Sequence, residues 1–282
     1  MTEVYIGNIF KTIRKKRGLT ISDAAGTDVD RSFISKFENG RSDISMSRLI
    51  LILKNIGMTL SEFSEQISRD KNDLVPLLTK IGEAFYQEKY DWLRELRSIQ
   101  QTFWIQTHNK VYKLNVILIS SILTSVDNKE IKQEDIGFIV DYLFDVGEWQ
   151  KYEYQLFSKI INVLPVRVID QYLNIAIKKY PTIDSSIQIS VIKALENRIV
   201  LSLEEDIDDG KYWYQKLLSL DMPEGEAYLV IKRRLLFGML DIKNSQNKEN
   251  GIHLVQSEIK LLNQIGFHKM ADYHKKTISV VC

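Results

Sequence analysis

The sequence predicts an all-α protein in two parts, a five-helix helix-turn-helix domain over residues 1–65 and a helical-repeat solenoid over 74–282, with a linker at 66–73. Three observations carry this expectation. Apolar residues recur at helical spacing in almost every segment, and strand-like alternation is absent. The breaks between segments are short and polar, too short for a mixed fold. A glycine followed by an aromatic ring returns in the second part, at Gly147, Gly210 and Gly266.

In the first part, Ile6, Ile9, Phe10 and Ile13 share one helical face, and the helix stops at Gly18 after Lys15, Lys16 and Arg17. Thr20 can cap a short helix, Ile21–Ala25, whose Ala24 and Ala25 leave room for close packing. Gly26 ends it, and Val29 plugs the core from the turn. Asp30 caps a third helix through Phe37, which closes at Asn39-Gly40, where a left-handed residue is needed. The fourth helix, about Ser45–Ile56, turns Leu49, Ile50, Ile52 and Leu53 inward, and a short helix over Leu60–Ile67 follows.

A tight turn between the second and third of five short helices is the plan of the phage-repressor helix-turn-helix. The strings Gly18-Leu19-Thr20 and Ile34-Ser35-Lys36-Phe37-Glu38-Asn39-Gly40 resemble the xenobiotic-response-element (XRE, Cro/repressor-like) class across the whole segment. With Ile34 and Phe37 facing the core, the recognition helix turns Arg31, Ser32, Ser35 and Lys36 outward for base contacts in a major groove. Phosphate contacts then fall to Lys11, Arg14, Lys15, Arg17, Thr20, Asn39 and Arg41. Five of the seven residues from 11 to 17 are basic, which favours a phosphate-facing surface over a solvated one. One such domain binds at about micromolar strength at physiological salt, so two linked copies on a pseudo-palindromic double-stranded site are expected.

Composition sets limits. Hydrophobic residues make up 44% and charged residues 27%, ordinary for a folded globular chain. The net charge of +1 means that any attraction to phosphate is local. The single cysteine, Cys282, allows no intrachain disulfide and fits a reducing, cytoplasmic location. The longest apolar run, Val116–Leu123, contains two serines and is far short of a membrane span.

Beyond the polar stretch from Ser68 to Asp73, helices are expected near 74–87, 89–99, 103–125, 134–146, 149–163, 165–179, 184–202, 211–219, 224–240, 251–265 and 268–280. Gly147-Glu148-Trp149, Gly210-Lys211-Tyr212 and Gly266-Phe267-His268 each end one helix and start the next within a few residues. Their spacings of 63 and 56 are a little under twice the ~34-residue period of tetratricopeptide repeats, hence a tetratricopeptide-like solenoid. A large irregular bundle is the competing architecture. Trp149 and Tyr152 are read as inter-helix core, and of the Tyr212-Trp213-Tyr214 triplet one ring must face outward.

A repressor-like domain followed by helical repeats, with the segment Trp149-Gln150-Lys151-Tyr152-Glu153-Tyr154-Gln155-Leu156-Phe157, resembles the Rgg/GadR/MutR family of regulators. The resemblance implies a homodimeric transcription factor whose repeat domain binds a short hydrophobic signalling peptide, a quorum-sensing pheromone. An extended ligand needs polar groups for its backbone and pockets for its side chains. Polar residues interrupt apolar stretches at Lys159, at Asn197 and Arg198, and at Tyr228 and Lys232 around Ile231. These six are the candidate peptide contacts, each of which could also be an ordinary exposed residue of an amphipathic helix.

No catalytic constellation stands out. His108, His253, His268 and His274 lack metal-ligand spacing, and there is no Walker loop or nucleophile elbow. Asp206, Asp208 and Asp209 read as a solvated connection rather than a metal site, so no enzyme, cofactor or metal is expected. Two other readings stand beside the peptide-responsive regulator: a mobile-element or phage repressor governed by a protein antagonist, and a repeat scaffold that the first domain merely localises.

Overall fold

A computed structural model describes residues 6–67, 74–127, 129–243 and 247–281, where every regular element is helical. Cys282 and the linker residues 68–73 lie outside the described residues. The chain divides into two compact units, Met1–Leu77 and Leu78–Cys282.

The first unit holds α1 (Ile6–Lys16), α2 (Ile21–Ala25), α3 (Arg31–Glu38), α4 (Met46–Asn55) and α5 (Leu60–Ile67). Phe10 sits at its centre, 6.0 Å from the Phe37 ring and 6.3 Å from Phe63. Ala24, Ala25, Ile34, Leu49, Ile52, Leu53 and Ile56 close the core around it. Thr20 caps α2 in a reciprocal capping box with Asp23. Gly26 turns left-handed at φ +60°, and a Cβ there would lie 2.6 Å from the Asn55 amide, which donates to the Ala24 carbonyl at 3.0 Å. The turn between α2 and α3 is thereby fastened to α4.

Expectations about α3 and α4 need correction in this unit. Ile50 is 47% exposed, because the inward stripe of α4 runs 49, 52, 53 and 56, and position 50 sits about 100° away from Leu49. Asp30 occupies the N-cap position of α3, but only its carbonyl bonds into the helix, to Ile34 N–H, and its side chain caps nothing.

The second unit is a run of helices joined by short connections. It contains α6 (Leu74–Tyr86, which crosses the unit boundary), α7 (Tyr90–Thr107), α8 (Lys110–Asp127), α9 (Gln133–Asp145), α10 (Lys151–Ile160) and α11 (Val166–Lys179). It continues with α12 (Ser185–Glu204), α13 (Gly210–Leu218), α14 (Ala227–Lys243), α15 (Lys248–Gln264) and α16 (His268–Val281). Consecutive helices pack as pairs, most tightly α14 with α15 and α7 with α8. The even-numbered helices also meet one another, α8 with α10, α10 with α12, and α12 with α14 and α16. This alternation of neighbour and next-neighbour contacts is the packing of a helical-repeat array.

Where the sequence suggested a break at residues 100–102, α7 runs on to Thr107 and ends at His108, whose φ is +51°. Of the polar run there, Gln100 is interior and accepts a hydrogen bond of 2.8 Å from the amide of buried Asn115 across the α7–α8 seam, while Thr102 stays exposed. A buried polar side chain whose partner lies on the next helix imitates a loop in sequence. Trp149 behaves as expected, stacking on Tyr172 at 4.7 Å and donating its indole N–H to the Leu143 carbonyl. Of the aromatic triplet, Tyr212 is the outward ring.

Candidate DNA and ligand sites

The recognition helix α3 presents Arg31, Ser32 and Lys36 to solvent, with Ser35 half-buried beside them. Its C-terminal end is braced by a short chain of contacts. The Asn39 amide donates to the Ser35 carbonyl at 2.8 Å and accepts from the Lys11 ammonium at 2.6 Å. Gly40, at φ +75°, then releases the chain from the helix. Arg48 adds a cation that sequence spacing did not single out, its guanidinium 4.9 Å over the Phe33 ring.

The basic face is smaller than its composition implies. Arg14 is buried, and its guanidinium is held by both oxygens of buried Glu38 at 2.5 and 2.7 Å and by the Leu19 carbonyl. This corrects its assignment as a phosphate contact, since a guanidinium committed to a buried carboxylate has nothing left to offer solvent. Arg17 is partly committed as well, donating to the carbonyls of Ile56 and Gly57. The Thr20 hydroxyl and N–H both point at Asp23, and those two bonds hold the Asp23 carboxyl below the usual carboxylate range. A phosphate at that end of α2 would meet a carboxylate. Lys15, Lys16 and Arg41 remain exposed and uncommitted among the described residues.

In the second unit, the sequence candidates separate by helical phase. Asn197 donates to the Ser158 carbonyl at 2.8 Å, tying α12 to α10. Lys232 reaches back from α14, 3.5 Å from the Asn197 oxygen and 3.0 Å from the Glu196 carboxylate. Tyr228, one turn before Lys232, places its hydroxyl 3.0 Å from His274 on α16. Lys159 stands on α10 next to Ser158. These side chains follow one strip across α10, α12, α14 and α16. Lys193, one turn before Asn197, shares that face of α12 and was not singled out from sequence, although its i, i+4 spacing to Asn197 is a legible signal.

Arg198 and Ile231 do not join them. Arg198 is fully buried and pairs with Asp170 at 2.8 Å and with Asp209, beneath the Trp213 ring and beside Ser202. Adjacent residues on a helix diverge by about 100°, so Asn197 and Arg198 cannot serve the same surface. Ile231 is 7% exposed and belongs to the core face of α14, for the same reason beside Lys232. Asp209, expected in a solvated connection, is instead the anchor of the Arg198 network and accepts from Ser202 at 2.6 Å.

Electrostatics along the strip is shaped by burial. Desolvation pushes the Glu196 carboxyl up, although Lys232 opposes it. Burial, with repulsion from Lys193, lowers the Lys159 ammonium to about 8. Burial also holds His274 down to about 4, so its imidazole is neutral at physiological pH. No group of three metal-ligating side chains exists among the described residues, and no described helix is long and apolar enough to cross a membrane.

Comparison with known proteins accords with both units. Residues 10–63 match a helix-turn-helix family model, and residues 93–276 match that of the C-terminal domain of the HTH-type transcriptional regulator Rgg. A 70-residue stretch is 33% identical to the control protein C.MunI of a Mycoplasma species, covering 24% of this chain and 95% of that protein. Over 97% of this chain and 98% of the other, the fold resembles the SHP pheromone receptor Rgg2 of Streptococcus dysgalactiae, at 20% identity and a TM-score of 0.69. It also resembles PrgX in its complex with cCF10, at 16% identity and a TM-score of 0.70, over 99% of this chain and 100% of that one. With a regulator model matched over most of its length behind a helix-turn-helix unit, the chain belongs to the Rgg family of HTH-type transcriptional regulators.

Proposed function

We propose that this regulator is a homodimer that reads a pseudo-palindromic promoter site with α3 and responds to a short hydrophobic peptide lodged on the α10–α12–α14 strip. The observation that carries the peptide reading is Asn197. Its amide, between the Ser158 carbonyl on α10 and Lys232 on α14, is the kind of paired donor and acceptor that an extended backbone can borrow. The structural neighbours named as a pheromone receptor and as PrgX with cCF10 support the same reading. Base contacts fall to Arg31, Ser32, Ser35 and Lys36, and phosphate contacts to Lys11, Lys15, Arg17, Asn39 and Arg41. Function of this kind places the protein with the DNA, in the cytoplasm.

For transcription to respond, the peptide must bind one arrangement of the helical array better than another. The test is fluorescence polarisation with labelled synthetic peptides from small open reading frames beside the gene, run alongside an electrophoretic shift on its promoter. Saturable submicromolar binding that Asn197→Ala lowers at least tenfold supports the proposal. Equal affinity of Asn197→Ala and wild type removes the strip from the binding site, and absence of binding by every neighbouring peptide counts for a protein antagonist instead.

A further inference from the structure

Two buried ionic groups at the α12–α14 seam are left incomplete. Glu196 on α12 is fully buried, and the Lys232 ammonium lies 3.0 Å from one of its oxygens. Neither oxygen accepts a hydrogen bond of good geometry among the described residues. Arg233, the next residue of α14, has its Nε and Nη2 groups buried, and no acceptor meets either one. Its positive field reaches Glu196, as it reaches the hydroxyls of Tyr180 and Tyr214.

A buried donor or acceptor without a partner forfeits its hydration and regains nothing. Here the unmet donors and acceptors sit on packed helices and carry opposite charge, so each can complete the other. Lys232 and Arg233 leave α14 about 100° apart. Lys232 lies on the strip side, where its ammonium is also 3.5 Å from the Asn197 oxygen. Arg233 shares the α13 side with Phe237, one turn on, whose ring meets Tyr214 at 5.6 Å. A guanidinium offers a carboxylate two parallel N–H groups and satisfies both oxygens at once, whereas an ammonium is a point charge.

We infer that Glu196 is a shared counter-ion, held by Lys232 in the state described here and passed to Arg233 when Lys232 is drawn toward the strip. The buried carboxylate stays paired in both states, so Lys232 can meet a ligand without stranding it. The exchange also withdraws Arg233 from Tyr180 and Tyr214, so an event on one face of α14 is registered on the other. Use of the exchange by a ligand rests on the peptide reading above. The exchange itself does not.

Thermal unfolding of the full-length protein tests it. Trp92, Trp104, Trp149 and Trp213, all four tryptophans of the chain, lie in the second unit, so their fluorescence follows that unit alone. Lys232→Met should lower the midpoint by less than about 4 °C, because Arg233 takes over Glu196. Arg233→Met, which removes unpaired buried donors, should leave the midpoint unchanged or higher. The double variant takes both cations from Glu196 and should lose at least about 10 °C, well beyond the sum of the two. Adding Glu196→Gln to the double variant should recover most of that loss. If the double variant does not fold, folding of the triple variant supports the exchange and its failure overturns it. A double variant whose loss equals the sum of the singles overturns it, as does Lys232→Met alone losing as much as the double. None of these results bears on the peptide reading, which stands or falls by the binding assay.

Discussion

Substituting Arg14 and Lys15 one at a time should separate the fold of the DNA-binding unit from its grip on DNA. Arg14→Ala strands Glu38 as a buried carboxylate without its guanidinium, and breaking such a pair costs about 3–5 kcal/mol, visible as a loss of thermal stability in the first unit. Lys15→Ala should leave that stability alone, weaken binding evenly across DNA sequences and lower the salt slope by about 1. Acid supplies a second residue-level test. Burial holds His274 at about 4 against 6.5 when unfolded, so between those values the unfolded chain takes up a proton that the native one refuses. The stability contributed is full above pH 6.5 and lost as pH falls toward 4, up to about 3 kcal/mol. The thermal midpoint followed across that window should fall less steeply in His274→Phe than in wild type. At this scale the sequence was hardest to read. Residue type names Arg14 and Arg198 as surface cations, and only the positions of Glu38, Asp170 and Asp209 in space turn them inward.

Helix pairs impose their own requirements. A Cβ on Gly251 of α15 would lie 2.6 Å from the Gly238 carbonyl and 2.7 Å from the Ile242 nitrogen, both backbone atoms that cannot rotate aside. Gly251→Ala must therefore push α14 and α15 apart, with an expected loss of about 1–3 kcal/mol by thermal or urea denaturation. Gly137→Ala, on α9 with nothing near its Cβ position, should lose nothing. Element boundaries were largely legible because glycines and capping residues mark them: Gly18, Gly26, Gly40, Gly57 and Gly266 all turn left-handed where a helix was expected to end. The exception at α7 arose from the Gln100–Asn115 pair, whose partners lie fifteen residues apart and form a hydrogen bond that no local pattern announces. Gly238 and Gly251 escaped for a related reason, since a glycine serving close approach looks in sequence like one serving a turn.

The two units make different demands on the assembly. With Arg14 and Thr20 withdrawn, fewer groups on the first unit remain to meet phosphate than its five basic residues in seven suggest, so a second linked copy becomes more necessary. A fragment of residues 1–77 should bind promoter DNA at least a hundredfold more weakly than the whole chain, because linkage makes the second contact intramolecular. Sedimentation of the whole chain should give the mass of two copies. The all-helical architecture was readable from periodicity, whereas the two compact units part after Leu77, inside α6, where no polar stretch marks a boundary. Which faces of the repeat helices remain free was not readable either, since that depends on how α10, α12 and α14 are phased against one another.

Contacts with α10, α11, α13, α14 and α16 leave α12 little surface of its own. A ligand settling on that remnant becomes the missing neighbour of the most heavily surrounded rod in the array. Occupancy must then register as resistance to melting, worth about 2.7 kcal/mol at a hundred times the dissociation constant. The regulator could thus nominate its own signal: heated in the presence of secreted extracts, it would hold together longest in the fraction containing the molecule it listens for.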